Sequence, residues 1–170
     1  NVVQESIRKH KRVIFNGNGY SDEWVEEAAR RGLPNIDNTV DAIGEFISPD
    51  TVALFNKHGV YTEAELNSRY DIKLEKYAKV LHIEALTMID MAAKDILPAV
   101  IKFKGKVASE INSLTAIGPE MDCSVEKTLL AKISKLSMKL GRALKTLEQL
   151  TEKSDDFSTN QAEADYYNDK

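Results

Sequence analysis

The side chains able to do chemistry in this chain are few and stand far apart. Gly17-Asn18-Gly19 lies between a short apolar run and a predicted helix, where glycine-rich loops cradle phosphate. The third glycine of a dinucleotide fingerprint would fall at Asp22, and no Gly-Lys-Ser/Thr follows. An acid there repels phosphate, so the segment reads as a plain turn. Glu84, Asp90 and Asp95 interrupt an apolar helix. Carboxylates on bundle helices can hold a metal pair, but that chemistry uses Glu-x-x-His units. Glu84 has no histidine three residues on, and His82 precedes it at the wrong spacing. The expectation is that these acids face solvent or pair with Lys79 and Lys94.

The remaining candidates read the same way. His58 precedes Gly59 at a predicted helix end, where a protonated imidazole interacts well with the helix dipole. His10 sits among Arg8, Lys9, Lys11 and Arg12, a cluster expected to be a solvated face rather than a phosphate site. Cys123 follows Asp122 near a helix start, where thiolates are stabilised, but no histidine is near in sequence to activate it. Trp24, Tyr70 and Tyr77 fall on apolar helix faces and read as core. No catalytic, cofactor-binding or metal-ligating residue is therefore assigned.

The elements that must position these residues are helices. Residues 1–61 hold five of the eight glycines and two of the four prolines, which predicts short helices and turns. The best strand candidate, Arg12-Val13-Ile14-Phe15, is only four residues long. Ser21 can N-cap a helix that Gly32 stops and Pro34 cannot continue. A weaker helix is expected over about Asn38 to Phe46. Ser48-Pro49 reads as N-cap and first position of a helix ending near Gly59.

From Thr62 the pattern lengthens. Thr62-Glu63-Ala64-Glu65 is a capping box. Behind it Leu66, Tyr70, Leu74, Tyr77, Leu81, Ala85, Met88, Ala92 and Ile96 form one apolar stripe. Pro98 is expected to kink or break this helix, and the phase resumes with Val100, Phe103, Val107, Ile111 and Leu114. A last helix from Ser124 carries Leu129, Ile133, Leu136, Leu140, Ala143, Leu147 and Leu150 at alternating steps of four and three, a bundle seam. Leu130, Met138 and Leu144 widen that stripe, which favours antiparallel packing in a bundle over a dimeric zipper. Ser154-Asp155-Asp156 reads as a linker, and residues 161–170 as the start of a helix the chain does not finish.

Composition excludes several classes. At 42% apolar and 29% charged residues, the chain is not a disordered tail. Mean hydropathy is -0.36, and no apolar run approaches the roughly 18 residues a membrane helix needs. No secretory signal is visible, and the opening Asn1-Val2-Val3 without methionine reads as part of something longer. A lone cysteine fits a reducing compartment. The formal charge of -4 is accounted for by residues 154–170, leaving a neutral body that argues against nucleic acid as a partner.

Two stretches carry a resemblance. One runs from His10 through Val13-Ile14-Phe15-Asn16-Gly17-Asn18-Gly19-Tyr20 to Trp24. The other is Leu54-Phe55-Asn56-Lys57-His58-Gly59-Val60, continued by Glu65-Leu66-Asn67-Ser68-Arg69-Tyr70, by Ile83-Glu84-Ala85-Leu86-Thr87-Met88-Ile89-Asp90-Met91 and by Ile96-Leu97-Pro98-Ala99-Val100. In order and interval they resemble the C-terminal region of type III glutamine synthetases, closely over about residues 8–104 and more loosely to Tyr166-Tyr167.

The resemblance implies a parent ligase that joins ammonia to glutamate using ATP and Mg or Mn, as a cytoplasmic oligomer of ring-shaped hexamers. It places the catalytic motifs on a domain upstream, so no catalytic residue carries over to this chain. The chain looks cut at both ends. The expected fold is an all-α helical bundle. Residues 1–61 are expected as short helices continuing from the catalytic domain, 62–153 as the long-helix bundle and 154–170 as an acidic linker with a truncated helix. The expected role is packing and subunit assembly, with the catalytic domain and other subunits as partners and neither nucleic acid nor membrane. The competing reading is a free-standing helical interaction or regulatory module without ligase activity.

Overall fold

The computed structural model describes residues 1–155 and 157–169. The predicted linker falls partly outside them at Asp156, as does Lys170. The described chain is all-α. Four short helices, α1 (Val2–Lys9), α2 (Asp22–Arg31), α3 (Thr39–Gly44) and α4 (Pro49–Lys57), precede the long α5 (Glu63–Met91). Then come α6 (Leu97–Ile117), α7 (Ser124–Thr151) and α8 (Asn160–Asp169). Lys11–Val13 is a 3-10 turn, and no strand occurs among the described residues.

Most local signals act as their chemistry dictates. Ser48 accepts from the Thr51 amide with Pro49 in the first turn. Gly32 ends α2 at φ 65°, a left-handed conformation that suits glycine. Thr62 and Glu65 close a reciprocal capping box at the start of α5. Ser21 departs from expectation. It stands at the N-cap of α2, but its side chain makes no capping bond; its hydroxyl donates back to the Asn18 carbonyl at 2.8 Å.

The proline at 98 distorts the helix without ending it. Helical backbone runs unbroken from Glu63 to Ile117, with a π-helical stretch over Ala92–Ile96. Proline lacks an N–H and its ring collides with the carbonyl four residues back in an α-helix. A widened turn just before it moves that carbonyl away. At about 1.5 Å per residue, this continuous rod is about 80 Å long. From Gly118 the chain reverses, and α7 returns along α6 and then α5. Lys104 Nζ donates to Ser137 Oγ at 3.4 Å across the α6–α7 seam.

The core lies at the other end of the rod. Val40, Ile43, Leu74 and Ala164 form one buried cluster, flanked by Tyr70 and Tyr77. It joins α3, α5 and α8, so residues far apart in sequence meet on the first half of α5. Tyr70 donates to Gln161 Oε1, His82 Nδ1 lies 2.8 Å from the Tyr167 hydroxyl, and Tyr166 donates to the Leu150 carbonyl at 2.8 Å. These bonds fasten α8 into the angle between α5 and α7.

Two predicted stripes are rotated in the structure. On α7 the inward residues are Leu130, Ile133, Ser137, Leu140, Leu144 and Leu147, whereas Leu129, Leu136 and Ala143 are exposed. At 100° per residue the contact face sits about 50° from the heptad seam. The reason is that α7 packs on two helices in turn, and Leu130 and Leu144 point nearer to that angle. On α6 the aliphatic stem of Lys104 turns inward and Phe103 outward. On α5 the stripe holds from Leu66 to Ala85, then passes to Ile89 and Ala92, leaving Met88 and Ile96 exposed.

Candidate functional site

The structure spreads the sequence candidates rather than gathering them. Gly17-Asn18-Gly19 is a turn in which Asn18 Oδ1 accepts from the Tyr20 amide at 3.0 Å. The Phe15 ring covers Gly17 so closely that a Cβ there would collide with it. Phe15 in turn stacks on Trp24 at 4.8 Å between ring centroids. Arg31 ties this corner down by donating to the carbonyls of Ile14 at 2.6 Å and Arg12 at 3.1 Å. Glu27 bonds both Arg30 and Arg31, and these guanidinium contacts pull its carboxyl down to about pKa 2.

Asp90 pairs with Lys94, as expected for a solvated acid. Lys79 pairs with Glu75 instead of Glu84, because Glu75 lies one turn back on the same face. Glu84 and Asp95 are exposed. Among the described residues no three His, Cys, Asp or Glu side chains converge as a metal set. His58 is the C-cap residue of α4, and the His10 cluster is exposed. Cys123 is buried at the N-cap of α7, its Sγ 3.7 Å from the Met121 carbonyl. The capping itself falls to Asp122, which accepts from the Ser124 amide and hydroxyl; these bonds lower its pKa.

Two grooves flank α5. One, of about 360 Å³, is lined by His82, Leu86, Ile89, Glu148, Thr151 and Glu152. The other, of about 390 Å³, is apolar and bordered by Lys73 and Lys76, with Ile43, Tyr77 and Val80 in its wall. Burial raises the pKa of Tyr70, helped by the charges of Asp71 and Asp165, so its phenol stays a hydrogen-bond donor.

The largest feature is exposed surface. The protein presents 12780 Å², where a compact 19.0 kDa monomer presents about 8,400 Å². Exposed apolar side chains contribute to it, among them Ile72, Ile83 and Leu86 on α5, Ile101 and Phe103 on α6, and Val125, Leu129 and Leu136 on α7. A second feature escapes a count of charge over residues 1–153. Between Glu126 and Glu148, α7 carries Lys127, Lys132, Lys135, Lys139, Arg142 and Lys145 and no acid. All six are exposed. This run is visible in the sequence, but averaging it with acidic α2 and α5 hides it.

No helix of the described residues is long and apolar enough to cross a membrane. Fold and surface together define an all-α module built around a long helical rod with broad uncovered faces. The sequence profile of the glutamine synthetase C-terminal domain matches residues 1–115, and the chain belongs to that family. It is 40% identical over 166 residues to a glutamine synthetase of Butyrivibrio fibrisolvens, covering 98% of this chain and 24% of that protein. It is 34% identical over 113 residues to a type-3 glutamine synthetase of Dictyostelium discoideum, covering 66% of this chain and 15% of that protein. A glutamine synthetase of Bacteroides fragilis is 30% identical over 137 residues, with 78% and 19% covered. The chain thus spans about a quarter or less of the length of these relatives.

Proposed function

We propose that this chain is a non-catalytic part of a type III glutamine synthetase, and that its work is packing and subunit assembly. In this reading the complete enzyme joins ammonia to glutamate using ATP and Mg or Mn in the cytoplasm. Those ligands bind on a catalytic domain outside this chain. Residues 1–61 lead from that domain, 62–153 form the long-helix bundle, and 154–170 the acidic linker and following helix. The partners are the catalytic domain and neighbouring subunits.

The observation that carries the assembly role is the surface excess. About 4,400 Å² more is exposed than a compact chain of this mass would show, and long helical faces rich in aliphatic side chains contribute to it. Long exposed helical faces that carry aliphatic side chains mark contact with other protein. The test is the mass of the chain in solution, by light scattering over a concentration series. Association that grows with concentration is expected, and a monomer at every concentration would overturn the assembly reading.

A further inference from the structure

We propose that the cationic outer face of α7 docks on the acidic outer face of α2 in a second copy of the chain. This rests on the assembly reading above and specifies its contact. At 100° per residue, Lys132, Lys135, Lys139 and Arg142 fall within an arc about 80° wide, opposite the side that packs on α5 and α6. None forms an ion pair among the described residues. Beside this strip runs a second, apolar one: Val125, Leu129 and Leu136, exposed at 73%, 40% and 54%. The face therefore suits a narrow partner that is acidic along one edge and apolar along the next.

Its own chemistry narrows the choice. Two α7 helices related by a two-fold axis would set cations against cations. Nucleic acid would meet the charges but strand the apolar strip, and α7 has no aromatic side chain on which a base could stack. A lipid surface takes a broad apolar helix face, and the broad face of α7 is already turned onto α5 and α6.

The chain itself supplies the complement. With residues 102–145 rich in lysine and a net charge of -4 overall, the acid surplus lies on the other elements. On α2, Asp22, Glu23 and Glu26 are exposed beside Val25, which is 48% exposed. Glu27 is engaged by Arg30 and Arg31, whereas these three acids have no ion pair among the described residues. The ten residues of α2 extend about 15 Å, the same as Lys132 to Arg142. The contact is heterologous, α7 of one copy to α2 of the next, so it propagates around a closed ring or along a filament. Over about 15 Å of helix about 10 Å wide, the contact is smaller than a standard interface of about 800 Å² per copy, so association is expected at high protein concentration.

Three versions of the chain test this by light scattering, at about 50 mM and about 500 mM salt. The first carries Lys132→Glu, Lys135→Glu and Arg142→Glu; the second carries Asp22→Lys, Glu23→Lys and Glu26→Lys; the third carries all six. Circular dichroism establishes that each stays helical. The expected result is that high salt weakens association of the wild-type chain about tenfold or more. Each triple reversal weakens it about 30-fold or more, and the six-fold swap restores it to within about threefold. Association that ignores either triple, or is not restored by the swap, overturns the contact and leaves the assembly reading standing. A monomer under all conditions overturns both. Retention of the wild-type chain by phosphatidylserine vesicles or duplex DNA without self-association also overturns the contact.

Discussion

Replacing Leu74 by alanine probes the buried cluster at the first half of α5. Leu74 is fully buried in the cluster with Val40, Ile43 and Ala164, at the junction of α3, α5 and α8. Removing three carbons from such a site forfeits about 2.4 kcal/mol of transfer free energy at about 0.8 kcal/mol per methylene. The unfilled space adds up to about 1.5 kcal/mol more where the surroundings do not collapse. The expected loss is about 2.5–4 kcal/mol. The control is Leu136→Ala on the outer side of α7, where the side chain is 54% exposed. Less than half of the same transfer term applies there and no closed cavity forms, so the cost is about 1 kcal/mol at most. Urea unfolding followed by far-ultraviolet circular dichroism measures both. The Leu74 variant should also release α8, seen as early loss of protection at Ala164 and its neighbours. Equal costs at the two positions would refute the assignment of core and outer face.

Other outcomes follow from single contacts. Arg30 and Arg31 hold Glu27 at about pKa 2, below its ordinary 4.5. A carboxylate with a depressed folded pKa contributes stability that is complete above its unfolded pKa and lost as the pH falls through the folded one. The Phe15–Trp24 corner should therefore loosen between about pH 4.5 and 2, read by fluorescence of the single tryptophan. Glu27→Gln should abolish that pH dependence, and a transition unchanged in the variant would locate its cause elsewhere. Thr62→Ala removes the capping box of α5 and should cost about 1 kcal/mol in urea unfolding. A cost near zero would mean that tertiary packing alone sets where α5 begins.

Helices were legible in the sequence because their signals are local. Thr62 with Glu65, Ser48 with Pro49, and Gly32 each act through neighbours within four residues, and the structure uses them as read. Orientation was legible on α5, where the stripe from Leu66 to Ala85 stays inward although it meets α3, α4 and α8. The α7 stripe serves two helices in succession, so Leu136 gives way to Ser137, an exchange that periodicity cannot reveal. Pro98 is legible as a disturbance of the helix but not as its form, since the π turn that accommodates it is written in no residue type. The site candidates were legible as residue types but not as partners. Lys79 chooses Glu75 over Glu84, and His82 meets Tyr167 from α8, a contact across the fold. The cationic run on α7 needed only a smaller window of charge to be seen.

The distribution of core has a consequence for motion. In the first half of α5, Leu66, Leu74 and Ala78 are fully buried. Between Leu97 and Leu150 only Val107 and Cys123 are buried, and neither of them fully. The α6–α7 hairpin therefore holds itself with a half-buried seam and few deep contacts, while its backbone bonds are nearly all helical. Opening free energy tracks buried apolar contact, so the far end of the hairpin should open more readily than the α3–α5–α8 junction. Hydrogen exchange should show amides around residues 105–135 exchanging about 100-fold or more faster than those around 66–81. Association that covers the outer face of α7 stabilises the closed hairpin by mass action. Protection there should consequently rise with protein concentration while that of the junction stays fixed. Uniform protection along the whole rod, independent of concentration, would show that the hairpin is self-sufficient and that its exposed leucines are not a waiting interface.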